Sequence, residues 1–125
     1  MKQYISIGLA LIAGFGLGFS IDALHAQGKG KPVYVVAEIE VSNVEGYMKE
    51  YQPKAQALIE KNGGRLIAAS LKAQALEGQA PKRVALQQWE SMEKVNAWFN
   101  SKEYKENRKI GDKHAKFRLY AVEGR

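Results

Sequence analysis

The chain has 125 residues, no cysteine and a formal net charge of +6. That length suits one domain of ordinary size, and 26% charged with 46% hydrophobic residues marks it as globular. The absence of cysteine excludes a disulfide framework, thiolate zinc sites and cysteine catalysis. The positive charge serves solubility or attracts acidic partners, but no arginine-rich or stacking motif points to nucleic acid.

Residues 1–26 read apart from the rest. Lys2 is a one-charge leader, Ile5 to Ile21 is apolar and glycine-rich, and Ala26 is the small residue that closes the segment. This is the tripartite layout of a secretory signal peptide, with cleavage expected after Ala26. If it is kept, the apolar run is at the short limit for a membrane anchor. Both readings place the domain outside the cytoplasm, in the periplasm or cell envelope, and membrane contact is expected only if the segment is retained. Residues 1–26 carry one lysine and one aspartate, so the remainder keeps the same net charge. Residues 27–32 form a polar spacer, and 33–124 form the domain.

Val33 to Val41 alternates with period two, which predicts a strand. Val33, Val35, Ala37, Ile39 and Val41 share one face, and Tyr34, Val36, Glu38 and Glu40 the other. Ser42-Asn43-Val44-Glu45 reads as a capping box with Ser42 as the cap. The helix behind it carries Val44, Tyr47, Met48, Tyr51, Ala55, Leu58 and Ile59 as an apolar stripe. Pro53 predicts a kink near Tyr51–Gln52 or a second helix start. Asn62-Gly63 ends the helix in a left-handed cap.

Arg65 to Ser70 is the second strand, Leu71 to Glu77 a weaker extended piece, and Gly78 to Pro81 a turn. Arg83 to Glu90 is the third strand, with either of its faces open to the helices. Ser91 caps a second helix with Met92, Val95, Trp98 and Phe99. Ser101 restarts a short one with Tyr104, and Phe117 to Val122 is the last strand. The order predicts an α+β, ferredoxin-like βαββα(α)β antiparallel sheet with its helices on one face. The other face holds Tyr34, Val36, Glu38, Arg118, Tyr120 and Val122 with one of the two faces of the third strand, a mixture too apolar for water. A second copy is the symmetric cover, so a homodimer of the dimeric α/β barrel type is expected.

The ordered set Tyr47, Tyr51, Pro53, Gly63-Gly64-Arg65, Leu76-Glu77-Gly78, Pro81, Arg83, Trp98-Phe99, Ser101, Glu103-Tyr104 and Arg108 resembles a bacterial family known as domain of unknown function 1330. The resemblance spans about Pro32 to Gly124. It implies a ferredoxin-like fold and dimeric α/β barrel assembly, and no established reaction. The chain departs from the usual pattern in its export segment and in Trp89-Glu90-Ser91, where a Phe-Pro-Ser-like turn is common.

Each candidate for chemistry has a structural counterpart. Arg65, set by the double glycine, either binds a carboxylate or pairs with Glu77. His114, the one histidine beyond the export segment, is a general base near neutral pH or a solvated loop residue. Glu38 and Glu40 share a strand face and could divide acid and base roles, or Glu38 pairs with Arg118 across the sheet. Trp98 and Phe99 are expected in the core, with Trp89 near any cavity. A ligand site is expected along the bare face and its helix-side rim, near Tyr34, Glu38, Arg65, Trp89, Arg118 and Tyr120, with His114 and Glu38 as the weak catalytic candidates. Neither a metal site nor a cofactor is expected, and no serine elbow, P-loop or dinucleotide fingerprint occurs. Three functions fit: a homodimer that binds a small acidic or aromatic ligand, a cofactor-free enzyme of the monooxygenase or isomerase type, and a structural module.

Overall fold

The computed structural model describes residues 30–125. The expected export segment, residues 1–26, lies outside them. Residues Pro32–Arg125 form one compact unit. Four strands, β1 (Val33–Val41), β2 (Arg65–Ser70), β3 (Arg83–Trp89) and β4 (Ala115–Glu123), make one antiparallel sheet in the order β2-β3-β1-β4. This is the ferredoxin-like topology. Helix α1 (Val44–Gly46) runs through a π turn (Tyr47–Tyr51) into α2 (Gln52–Lys61), and α3 (Met92–Phe99) and α4 (Lys102–Gly111) follow β3.

β1 is the centre of the sheet. It pairs with β3 on one side and β4 on the other, and its inward residues Val33, Val35, Ala37, Ile39 and Val41 are all buried. β-Branched residues with a strict period of two suit a strand buried on one face. The core forms two clusters. One gathers Val33, Val35, Leu58, Ile59, Trp89, Val95, Trp98 and Tyr104. The other gathers Ala37, Ile39, Val41, Tyr47, Tyr51, Ala85 and Ala115. Leu119, half-buried, packs against both.

Local chemistry explains the helix ends. The cap of α1 is Asn43, not Ser42: Asn43 Oδ1 accepts from the Gly46 amide at 3.1 Å. Ser42 Oγ instead donates to the His114 carbonyl at 2.9 Å, tying the end of β1 to the start of β4. Pro53 has no amide hydrogen to donate back to the preceding turn. The backbone widens ahead of it, and the Gln52 amide reaches back to the Tyr47 carbonyl, closing the π turn. α2 ends in a Schellman motif, with Gly64 N–H donating to the Ile59 carbonyl at 2.8 Å and Gly63 N–H to Glu60 at 3.1 Å. Gly63 has φ of +96°. Ser101 both stops and starts a helix: its Oγ donates to the Trp98 carbonyl at 2.7 Å and accepts from the Tyr104 amide at 3.1 Å.

Other expectations are corrected. Leu71 to Glu77 forms no strand and is exposed throughout. Its apolar residues are too sparse to pack. The short third helix is a full ten residues. Among the described residues no helix is long and apolar enough to cross a membrane.

The two glycines after α2 serve different ends. Gly63 holds the left-handed backbone. A Cβ on Gly64 would lie 2.5 Å from the Trp89 indole, so Gly64 lets the chain pass directly over that ring. Gly63→Val should cost about 1–3 kcal/mol through backbone strain, and Gly64→Ala about 1–3 kcal/mol through overpacking. Chemical denaturation measures both, and only Gly64→Ala should also shift the tryptophan emission. An unchanged stability in Gly63→Val would remove the cap assignment.

Candidate functional site

The sheet has two faces with different contents. On the bare face the register lays out cross-strand rows: Arg65–Gln88–Tyr34–Val122, Ala68–Leu86–Val36–Tyr120 and Ser70–Val84–Glu38–Arg118. A bulge between Leu66 and Ala68 brings β2 into this phase. Here lie five of the expected site residues: Tyr34, Glu38, Arg65, Arg118 and Tyr120. Tyr120 Oη donates to Glu38 Oε2 at 2.7 Å, while Arg118 Nη1 stands 4.0 Å from Glu38 Oε1. The tyrosine is therefore the closer partner of Glu38, and this bond raises the Tyr120 pKa. Arg65 donates to Gln88 Oε1 at 2.8 Å, its neighbour across the strands, in place of the expected Glu77.

Trp89 and His114 are not part of that face. Trp89 is 1% exposed and points to the helices, where its Nε1–H donates to Gln87 Oε1 at 2.9 Å and its ring lies 5.2 Å from Trp98. Phe99, expected inside, is 43% exposed. His114 is buried rather than solvated: its ring packs beneath Gly46, and its Nε2 lies 3.2 Å from Glu50 Oε1. It fastens the first helix to β4 and faces no cleft described here. Glu40 is exposed and sits opposite Lys116.

A cavity opens on the other face, between sheet and helices. It measures about 40 Å³ and lies between two aromatic groups. Tyr47, Tyr51 and Phe117 form one, with Tyr51 5.3 Å from Tyr47 and 5.2 Å from Phe117. Trp98 and Tyr104, 4.7 Å apart, bound the other side. β3 supplies the polar wall. Its pleat turns Arg83, Ala85 and Gln87 inward, in phase with Trp89. Arg83 is only 6% exposed, its guanidinium stands 5.5 Å from the Tyr47 ring, and its Nε has no hydrogen-bond partner. Trp98 Nε1, also buried, has none either. The π turn aims Tyr47 and Tyr51 at this space, in keeping with the frequent use of such turns at functional sites.

Burial raises the pKa of Tyr47, Tyr51 and Tyr104, because desolvation penalises the phenolate. Arg83 pulls the other way at Tyr47, and Arg108, which donates to the Tyr104 hydroxyl at 3.1 Å, pulls the other way there. All three phenols stay protonated at neutral pH. Among the described residues no group of three histidine, aspartate or glutamate side chains converges to hold a metal ion.

This cavity was not visible as a site in the sequence. Arg83 reads only as the first residue of the third strand. The phase of β3 puts Arg83 on the side of the bulky Trp89, but Val84 and Leu86 make the other side as apolar.

Residues 32–125 match the family described as a domain of unknown function (DUF1330). The chain belongs to the DUF1330 family. No curated protein matches it. Among solved structures, a protein of unknown function from Rhodopseudomonas palustris is similar at 14% identity, with a TM-score of 0.65 over 85% of this chain and 92% of that one. SnoaB, a cofactor-independent oxygenase from Streptomyces nogalater, aligns at 10% identity and a TM-score of 0.58, covering 77% and 95%. A dimeric protein of unknown function and ferredoxin-like fold from Bacteroides fragilis aligns at 16% identity and a TM-score of 0.56, covering 74% and 96%. At these identities the shared property is the fold.

The buried phenols make stability depend on alkaline pH. Their folded pKa values lie above the unfolded value near 10. Below pH 10 both states hold the proton and nothing changes. Above it the unfolded chain loses protons that the folded chain keeps, so stability falls as pH rises. Each buried phenol should contribute a loss on the order of 1 kcal/mol per pH unit. Urea denaturation from pH 8 to 11 should show this decline, and Tyr51→Phe should make it shallower. A slope unchanged by Tyr51→Phe would contradict the placement of that hydroxyl.

Proposed function

We propose that this DUF1330 domain binds a compact small molecule in the helix-side cavity and works as a homodimer through its bare sheet face. The observation that carries the binding reading is the cavity itself, a space inside an aromatic core with a buried, carboxylate-free arginine on its wall. A buried charge without a partner is costly, and such a site is kept where something fills it. The expectation of an acidic or aromatic ligand is narrowed by size. A cavity of about 40 Å³ favours a short acid over a flat ring system. The export reading of residues 1–26 would place this binding in the cell envelope.

The alternative is a cofactor-free enzyme. SnoaB is described as a cofactor-independent oxygenase, and its likeness to this chain is one of fold. Among the described residues lining the cavity there is no carboxylate or histidine to serve as a general base, and Glu38 and His114 lie elsewhere. Binding is therefore the better supported reading.

A thermal-shift screen of small acids and neutral molecules should give a saturable rise in Tm for a subset. Ala55 lines the cavity, and Ala55→Leu, which fills it, should abolish that rise. A rise that survives Ala55→Leu places the ligand elsewhere, and turnover under oxygen favours the enzyme.

The dimer reading rests on the bare face. Tyr120 and Val122 are 44% and 50% exposed there, beside the half-buried Val36, Val84 and Leu86. The dimeric Bacteroides fragilis neighbour lends support. Light scattering should give a dimer for the wild type, and Val36→Asp should split it or unfold it. A monomeric wild type would defeat this part of the proposal.

A further inference from the structure

We propose that the cavity recognises a monocarboxylate, held by the Arg83 Nε–H and the Trp98 indole N–H together. This rests on the cavity being a ligand site and names the chemistry of its occupant.

Donors and acceptors around the space are unevenly matched. Three nearby side-chain oxygens are taken. Gln87 Oε1 receives the Trp89 indole at 2.9 Å, Gln56 Oε1 receives Gln52 Nε2 at 3.1 Å, and the Tyr104 hydroxyl receives Arg108 Nη1 at 3.1 Å. Two donors are left over. Arg83 and Trp98 both line the cavity, and the Arg83 Nε and Trp98 Nε1 groups are buried without partners. A buried N–H with no acceptor loses its hydrogen bonds to water and gains none in return. The occupant must therefore bring acceptor oxygens.

Charge selects among such occupants. Among the described residues Arg83 forms no ion pair, whereas Arg108 and Arg118 each stand near a carboxylate. The cavity thus holds one uncompensated positive charge in a poorly solvated core. A single negative charge balances it. A dianion such as hydrogen phosphate would leave an excess buried negative charge, and a neutral amide would leave the guanidinium unpaired, both at a desolvation cost. A carboxylate is planar and brings two oxygens, one for each donor, and its bond to the guanidinium is charge-assisted. The small volume restricts the ligand to a carboxylate on a short stem.

The test uses the chain as it exists, labelled with nitrogen-15, and titrates acetate, propionate and lactate against acetamide, propionamide and inorganic phosphate. The two tryptophan indole N–H signals are the readout. Trp98 should shift with saturation on adding a carboxylate. Trp89 already donates to Gln87 and should move far less, which makes it an internal control. Carboxylates should bind at least about tenfold more tightly than the matching amides, and phosphate should not compete. Arg83→Met should remove the preference for carboxylate over amide, and Arg83→Lys should retain part of it. Arg118→Ala, on the other face, should leave it intact. Equal affinity for acid and amide, or a preference that persists in a folded Arg83→Met, overturns the carboxylate assignment. If amides bind and Ala55→Leu abolishes that binding, the cavity reading survives and only this inference falls. If no probe moves Trp98 in the wild type, both are overturned. Should Arg83→Met fail to fold, the wild-type comparison of acid with amide still decides.

Discussion

The pleat of β3 imposes the constraint on which the rest of the domain turns. Trp89 must face the helices, because it closes the aromatic core and Gly64 is shaped to pass over it. Successive side chains alternate along a strand, so the same phase carries Gln87, Ala85 and Arg83 inward. Gln87 is used at once, as the acceptor for the Trp89 indole. Ala85 is small and leaves room. Arg83 is left in that room with a buried charge. The fold tolerates this because the guanidinium lies close to the Tyr47 ring, an electrostatically favourable neighbour, and because the cavity beside it is open to an occupant.

The π turn belongs to the same arrangement. Tyr47 and Tyr51, four residues apart along it, share one face and are both buried in the core. Gly111 allows Tyr51 and Phe117 to approach, since a Cβ there would lie 2.7 Å from the Tyr51 ring. The cavity is thus lined by residues of the π turn, α2, α3 and α4. The opposite face has a different economy. Its polar groups pair locally, as in the Tyr120–Glu38 bond, and its apolar middle row of Leu86, Val36 and Tyr120 suits a flat contact with another sheet.

Much of this fold is legible in the residues. The alternation of Val33 to Val41 assigns both faces of β1 correctly, because a strand buried on one side must repeat every two residues. Gly63 marks its left-handed turn, because few other residues accept that backbone. The caps at Ser91 and Ser101 stand where they are expected. Asn43 displaced Ser42 because two adjacent residues can both cap, and the hydroxyl found a partner in the His114 carbonyl across the fold. Such a contact, 72 residues apart in sequence, has no local signature. The site was harder to find for a related reason. Val84 and Leu86 make the outward face of β3 as apolar as its inward one, so the strand's own pattern cannot say which side Arg83 takes. That choice is made by pairing with β1, where Arg83 stands opposite Ile39.

The central claim is that the ligand lies between sheet and helices at Arg83 and not on the bare face around Arg118. A high-resolution crystal structure of the protein grown with a short monocarboxylate tests it most directly. The predicted result is planar density in the helix-side cavity, with oxygens within hydrogen-bonding distance of both Arg83 Nε and Trp98 Nε1. Density found instead between the sheets, beside Arg118 and Tyr120, or a helix-side cavity occupied by water alone, would contradict it.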